Sequence, residues 1–331
     1  MKNGQARFEY FLSQLQLLLD KAEKQRNPAL WLYRNNARTP IFMLEGLAKL
    51  YAGIHNKKKF LKLKEQFKIL EDMLGGVDYY DAFAKEFSAN KKIPKTITAY
   101  LQAQTREKIQ SLNEALKECG WLGSENKRMN KIRKKLKKAD WKSPQEEIKD
   151  MVGFYNEAIS GIIAFTEKTG YRFSNVESDV HELRRKLRWL SIYPQALRGC
   201  VQLGKTPKPP KYLQKYLTPE IINSPYNKMP DAGDNEQFLL LDQNNFYALS
   251  WMIAGLGKLK DSGLRVVAIK EALMQTSKAD ETVALKKAYT TAGKGQPSLQ
   301  QILDNAETLC KTYFKEQSLQ KLVLGSAATV S

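Results

Sequence analysis

Histidine is nearly absent from this 331-residue chain: there are two, His55 and His181. The three cysteines, Cys119, Cys200 and Cys310, are far apart, so no spacing gathers a zinc site. An odd, scattered set of thiols also excludes a disulfide framework and fits a reducing cytoplasm. Neither a metal nor a cofactor is expected. Long apolar runs are missing too, because nothing approaches the ~20 residues of a membrane span. The stretch FLSQLQLLL sits behind mixed charge and runs into DKAEKQR without a small-residue cleavage site, so it reads as an amphipathic helix and not a signal segment. A soluble, cytoplasmic protein off the membrane is expected. Acidic residues fall short of basic ones, 35 against 54, leaving a charge of +19. Such an excess attracts polyanions.

Strand-like alternation is nearly absent as well, and helical periodicity takes its place. Leu12, Leu15, Leu18 and Leu19 form one apolar stripe, Ile41, Leu44, Leu47, Ala48 and Tyr51 a second, and Phe60, Phe67, Leu70 and Leu74 a third. Further helices are predicted near 96–119, 126–138, 144–168, 176–203, 236–259, 263–274, 280–291 and 297–323. The expected class is all-α, a single domain over 1–331 built from two related four-helix-bundle-like halves, about 8–168 and 174–324. The halves repeat an order of features: an arginine-bearing helix, RNNARTPIFMLEGLAKLY or HELRRKLRWLSIY, then a leucine-glycine step, LEDMLGGVDYYDAF or WMIAGLGKLKDSG. Residues 204–234 carry Pro207, Pro209, Pro210, Pro219, Pro225 and Pro230 and read as an irregular insertion with one short helix at Lys211–Leu217.

Two helix faces concentrate positive charge. Around His181, apolar Val180, Leu183, Leu187 and Leu190 share one face, while His181, Arg184, Arg185 and Arg188 recur at i, i+3, i+4, i+7 on another. In RMNKIRKKLKKAD, Met129, Ile132 and Leu136 form the apolar stripe, and Lys131, Lys134, Lys135 and Lys138 repeat the basic spacing. With Arg34 and Arg38 one turn apart on an earlier helix, these strips predict a shared basic groove. Guanidinium forks suit phosphate oxygens. The competing reading is an ordinary solvated face, with the arginines paired to Glu177, Asp179 and Glu182.

GCVQLGKT at 199–206 matches the P-loop pattern letter for letter. A P-loop needs a buried strand before the glycine turn and a helix starting at the Lys-Thr. Helical spacing precedes the octapeptide and PKPPKY follows it, so the match is a coincidence of letters.

The residues at 180–190, V-H-E-L-R-R-K-L-R-W-L, resemble the opening helix of the CHAD family, the conserved-histidine α-helical domain, whose repeats read H-x-L-R-x-x-x-R-x-L-R and later L-G-x-x-R-D. Leu256-Gly257-Lys258-Leu259-Lys260-Asp261 resembles the second element, with lysine for the arginine. Leu74-Gly75-Gly76-Val77-Asp78-Tyr79 departs further, with Asp78 at the arginine position and Tyr79 at that of the aspartate, and no histidine precedes Arg34 and Arg38. The resemblance runs from about Phe8 to Leu324. It implies a helical domain whose basic channel binds inorganic polyphosphate, in some members at polyphosphate granules, through Arg34, Arg38, His181, Arg184 and Arg188. The lysines Lys131, Lys134, Lys135 and Lys138 and Arg185 are added from their spacing.

Catalysis is not expected. The cysteines read as small buried hydrophobes, and the carboxylate pairs Asp78/Asp81 and Glu146/Glu147 as capping groups at helix starts. The E-x-E-x-K signature of a triphosphatase domain is missing. The alternatives are a phosphatase or phosphotransferase using the same groove on polyphosphate or a phosphorylated substrate, and a nucleic-acid binder.

Overall fold

Local signals close most helices where the periodicity places them. Asn27 accepts a hydrogen bond from the Leu30 N–H ahead of a proline at the first helical position, and Ser143 with Glu146 and Ser298 with Gln301 form reciprocal capping boxes. The computed structural model describes residues 3–123, 126–206, 208–293 and 295–328. Helix takes 73% of the structure and strand 5%, an all-α protein. Among the described residues no helix is long and apolar enough to cross a membrane.

The chain forms two compact units, Met1–Trp141 with Leu264–Gln296, and Lys142–Gly263 with Pro297–Ser331. The first contains α1 (Asn3–Glu23), α2 (Pro28–Arg34), α3 (Arg38–Ile54), α4 (Lys57–Ser88), α5 (Lys95–Glu118) and α6 (Lys127–Lys137). The second contains α7 (Pro144–Lys168), α8 (Glu182–Ala196), β1 (Val201–Gly204), α9 (Pro219–Ile222), β2 (Gln237–Asp242) and the first part of α10 (Gln243–Ser277). The later part of α10 and α11 (Glu281–Ala292) belong to the first unit, and α12 (Leu299–Lys315) and β3 (Val323–Ala328) to the second. These boundaries differ from halves divided at 168–174: α7 falls in the second unit, and 264–296 returns to the first.

In the first unit the three predicted stripes are core, apart from the half-buried Leu18. Leu12, Leu15, Leu19, Ile41, Leu44, Leu47, Phe60, Phe67 and Leu74 are sealed from solvent, and Phe8, Tyr51, Phe60 and Trp141 gather with ring centroids 5.3–6.1 Å apart. Offset and edge contacts of this kind add about 0.5–1.5 kcal/mol per pair beyond burial. A satellite core joins Phe87, Ile97 and Leu101 to Val266, Ile269 and Ala272.

The second unit differs from the expected helix run in three places. The helix predicted over 176–203 begins as a π-helical turn, Val176–His181, continues as α8 and ends at Ala196. Residues 201–204, 237–242 and 323–328 are strands of one sheet in the order β1-β2-β3, β1 parallel to β2 and β2 antiparallel to β3. Each strand is too short for a two-residue period to stand out in the sequence. The helices predicted at 236–259 and 263–274 are one, α10, running on through Gly263, where Val176 packs so closely that a Cβ would stand 2.9 Å from Val176 Cγ1.

The proline-rich segment is a packed part of this unit. Its 3-10 turn Lys211–Tyr216 stands at the short helix expected there, and Tyr216 packs edge-on against Trp251 of α10 at 4.9 Å. GCVQLGKT has no P-loop geometry. The strand lies inside the octapeptide, no helix starts at Lys205-Thr206, and Gly199 is glycine because its φ is +89° and a Cβ would strike the Asp231 carbonyl. Thr206 donates instead to Asp242, whose other oxygen accepts the Asn245 N–H at 2.8 Å and caps α10.

Candidate anion-binding site

Two arginines, one per unit, lie against the leucine-glycine steps. In the first unit α3 and α4 pack as a hairpin joined by His55-Asn56. Arg38 opens α3 and reaches Gly75 on α4, where a Cβ would stand 2.9 Å from Arg38 Nη2. In the second unit Arg184 on α8 reaches α10 in the same way, with the Cβ position of Gly257 3.1 Å from Arg184 Nε. Glycine at each step leaves room for a guanidinium against the helix backbone. The glycine contact makes Arg38 the counterpart of Arg184. Arg34 and Arg38 do not share a helix as expected: Arg34 ends α2 and Arg38 opens α3, and Arg34 lends its charge to Asp81.

The surroundings of the two guanidiniums differ. Arg38 Nε donates to Glu71 Oε1 at 2.7 Å and Nη1 to Asp78 Oδ2 at 3.0 Å. Glu71 is buried, and Tyr33 donates at 2.7 Å to Asp81, which also pairs with Lys85. Asp78 and Asp81 are therefore mid-helix ion-pair partners and not caps, a correction to the expected helix start, since α4 runs unbroken through Gly75-Gly76. Glu146 is the capping residue its position predicts: its carboxylate accepts from the Ser143 N–H at 3.1 Å.

Arg184 has no ion pair among the described residues. Its Nε donates to the Ile253 carbonyl at 3.3 Å, and burial holds its pKa below the ordinary arginine value against a partial offset from Asp261. Counted from the glycine, the positions held by Glu71 and Asp78 in the first unit are held here by Ile253 and Lys260. An unpaired, partly desolvated guanidinium is costly unless an anion completes it.

The rest of the strip is mixed. His181 closes the π-helical turn, a rare geometry that recurs at functional sites, and its Nδ1 lies 2.7 Å from Glu177 Oε1. The hydrogen bond from His181 lowers the Glu177 pKa, with Lys260 and Arg185 adding to the effect. Arg185 pairs with Glu182 at 2.6 Å, and Asp179 accepts from Ser174 and Asn175. The solvated-face reading thus holds for Arg185 and fails for Arg184. Arg188 is exposed one turn further along α8. Lys260 also belongs here, since its charge acts on Glu177. Its place at the leucine-glycine step was the signal in the sequence.

The lysine strip lies on α6 with Met129, Ile132 and Leu136 buried beneath it, as its spacing predicts. Lys131, Lys134 and Lys138 are exposed, and Lys138 ends the helix with its carbonyl accepting from Lys59 Nζ at 2.9 Å. Burial first, then the charges of Lys131, Lys62 and Arg128, hold the Lys135 pKa below its ordinary value, the mark of like charges crowded together. These four cations form a patch of their own in the first unit, while His181, Arg184, Arg185 and Arg188 belong to the second.

Among the described residues no group of His, Cys, Asp and Glu could hold a metal ion. Cys200 and Cys310 are buried, and burial pushes the Cys310 thiol up to about 12. No protein-family model matches the chain, and no curated protein matches it.

Proposed function

We propose that the chain binds inorganic polyphosphate, or a polymer of the same phosphate chemistry, on the basic face of the second unit, without acting on it. The observation that carries this reading is Arg184, a partly buried guanidinium with no ion pair among the described residues, seated on Gly257. A flexible anion with about one charge per phosphate supplies what that group lacks. It spans the neighbouring Arg185 and Arg188 on α8 without needing a closed pocket. The resemblance of 180–190 and 256–261 to the CHAD family supports the same ligand. Binding releases counterions, so affinity falls steeply with salt.

Nucleic acid carries phosphates too, but its readers add aromatic stacking platforms. Trp189 and Tyr193 beside the strip are buried and stacked on one another at 5.9 Å. The test is competition binding of long-chain polyphosphate against single- and double-stranded nucleic acid at two salt concentrations, with phosphate release followed in parallel. Preference for nucleic acid, or turnover with added divalent metal, would overturn the reading.

A further inference from the structure

We propose that the first unit holds a second phosphate cradle of the same build, closed by its own carboxylates; the ligand class rests on the function proposed above. Arg38 stands against Gly75 as Arg184 stands against Gly257, with a Cβ excluded at 2.9 and 3.1 Å. Only the flanking residues differ. Four residues before the glycine, Glu71 takes Arg38 Nε at 2.7 Å, whereas Ile253 leaves Arg184 Nε a backbone carbonyl at 3.3 Å. Three residues after it, Asp78 takes Arg38 Nη1 at 3.0 Å, whereas Lys260 stands there as a cation whose own partner is Asp261 at 2.8 Å. Two carboxylate oxygens occupy donors that two phosphate oxygens would take, since Arg forks accept carboxylate and phosphate in the same geometry. Glu71 is buried and Asp78 half-exposed, so the inner anion is fixed and the outer one faces solvent. The carboxylates thus set the valency: one open site and one that competes for its own arginine.

The chain with Glu71→Gln and Asp78→Lys, which copies the open site's charge pattern, tests this directly. In an Arg184→Gln background, the two changes together are expected to tighten tripolyphosphate binding at low salt at least tenfold, measured by calorimetry. Adding Arg38→Gln must remove the gain. A charge-matched pair on the same helix, Glu65→Gln with Asp72→Lys, controls for the added positive charge and must not reproduce it. Circular dichroism and hydrogen exchange establish that each variant is folded; if Glu71→Gln disrupts the unit, Asp78→Lys alone is expected to give a smaller, Arg38-dependent gain. No gain in folded variants, or a gain that survives Arg38→Gln, overturns the proposal. Failure of the native chain to bind polyphosphate would instead strike the function proposed for the second unit, because the cradle is scored against its own Arg38→Gln control.

Discussion

Methionine at Arg184 and methionine at Arg38 are the same substitution at equivalent places, and the structure predicts opposite effects on stability. Met keeps the apolar stem packed and removes only the charged fork. At Arg38 the change strands Glu71, a buried carboxylate, and releases Asp78. Breaking a fully buried pair costs about 3–5 kcal/mol. Because Arg38 and Asp78 are 41% and 50% exposed, water replaces part of the loss, and ~1–3 kcal/mol remains. At Arg184 the change gives up one long hydrogen bond, worth under about 1 kcal/mol, and returns the cost of burying an unpaired charge. Arg184→Met is therefore expected to be neutral or stabilising by about 1–2 kcal/mol, and to unfold at a higher urea concentration than Arg38→Met. Two units need not unfold together, so hydrogen exchange read separately over 38–88 and 182–263 is the deciding assay. If Arg184→Met loosens its unit as much as Arg38→Met loosens the other, Arg184 is a structural strut and the argument for an incomplete cation fails.

Other groups give independent tests. Burial and the neighbouring Glu71 raise the Glu45 carboxyl from 4.5 to about 7. The folded chain thus holds a proton there that the unfolded chain releases between those values, and stability falls as pH rises through about 4.5–7. Glu45→Gln should remove that loss, gaining about 3 kcal/mol on the native chain between pH 4.5 and 8; denaturant midpoints that stay parallel across that range would refute it. Gly257→Ala places a Cβ 3.1 Å from Arg184 Nε and is expected to weaken polyphosphate binding severalfold. Alanine gains about 0.5–1 kcal/mol over glycine within a helix, so a variant that binds normally would contradict the cradle. Asp242→Ala removes the cap of α10 and the Thr206 contact, and a loss of about 1 kcal/mol in thermal or urea unfolding is expected.

The helices were legible because each buries one stripe of a 3.6-residue period, and Leu12 to Leu74 are core where the stripes place them. The sheet was not legible, since four- and six-residue strands carry too few alternations. Unit boundaries were hidden for another reason: a continuous helix, α10, supplies residues to both units, and periodicity says nothing about which neighbour a helix segment packs on. At the site, i, i+3, i+4, i+7 spacing found the face of His181, Arg184, Arg185 and Arg188 but could not rank its members. That ranking comes from the partners: Glu182 satisfies Arg185 locally, whereas Arg184 reaches a backbone carbonyl of α10, distant in the chain. The departures at Asp78 and Tyr79 were visible as letters. Their meaning appears only when Asp78 lies 3.0 Å from Arg38.

The most direct test of polyphosphate binding replaces Arg184, Arg185 and Arg188 together with glutamine and titrates long-chain polyphosphate at low and moderate salt. The account predicts a folded protein whose affinity falls at least tenfold, about 1.4 kcal/mol, with a shallower salt dependence because fewer counterions are displaced. A folded triple variant that keeps the native affinity and the native salt slope would contradict it.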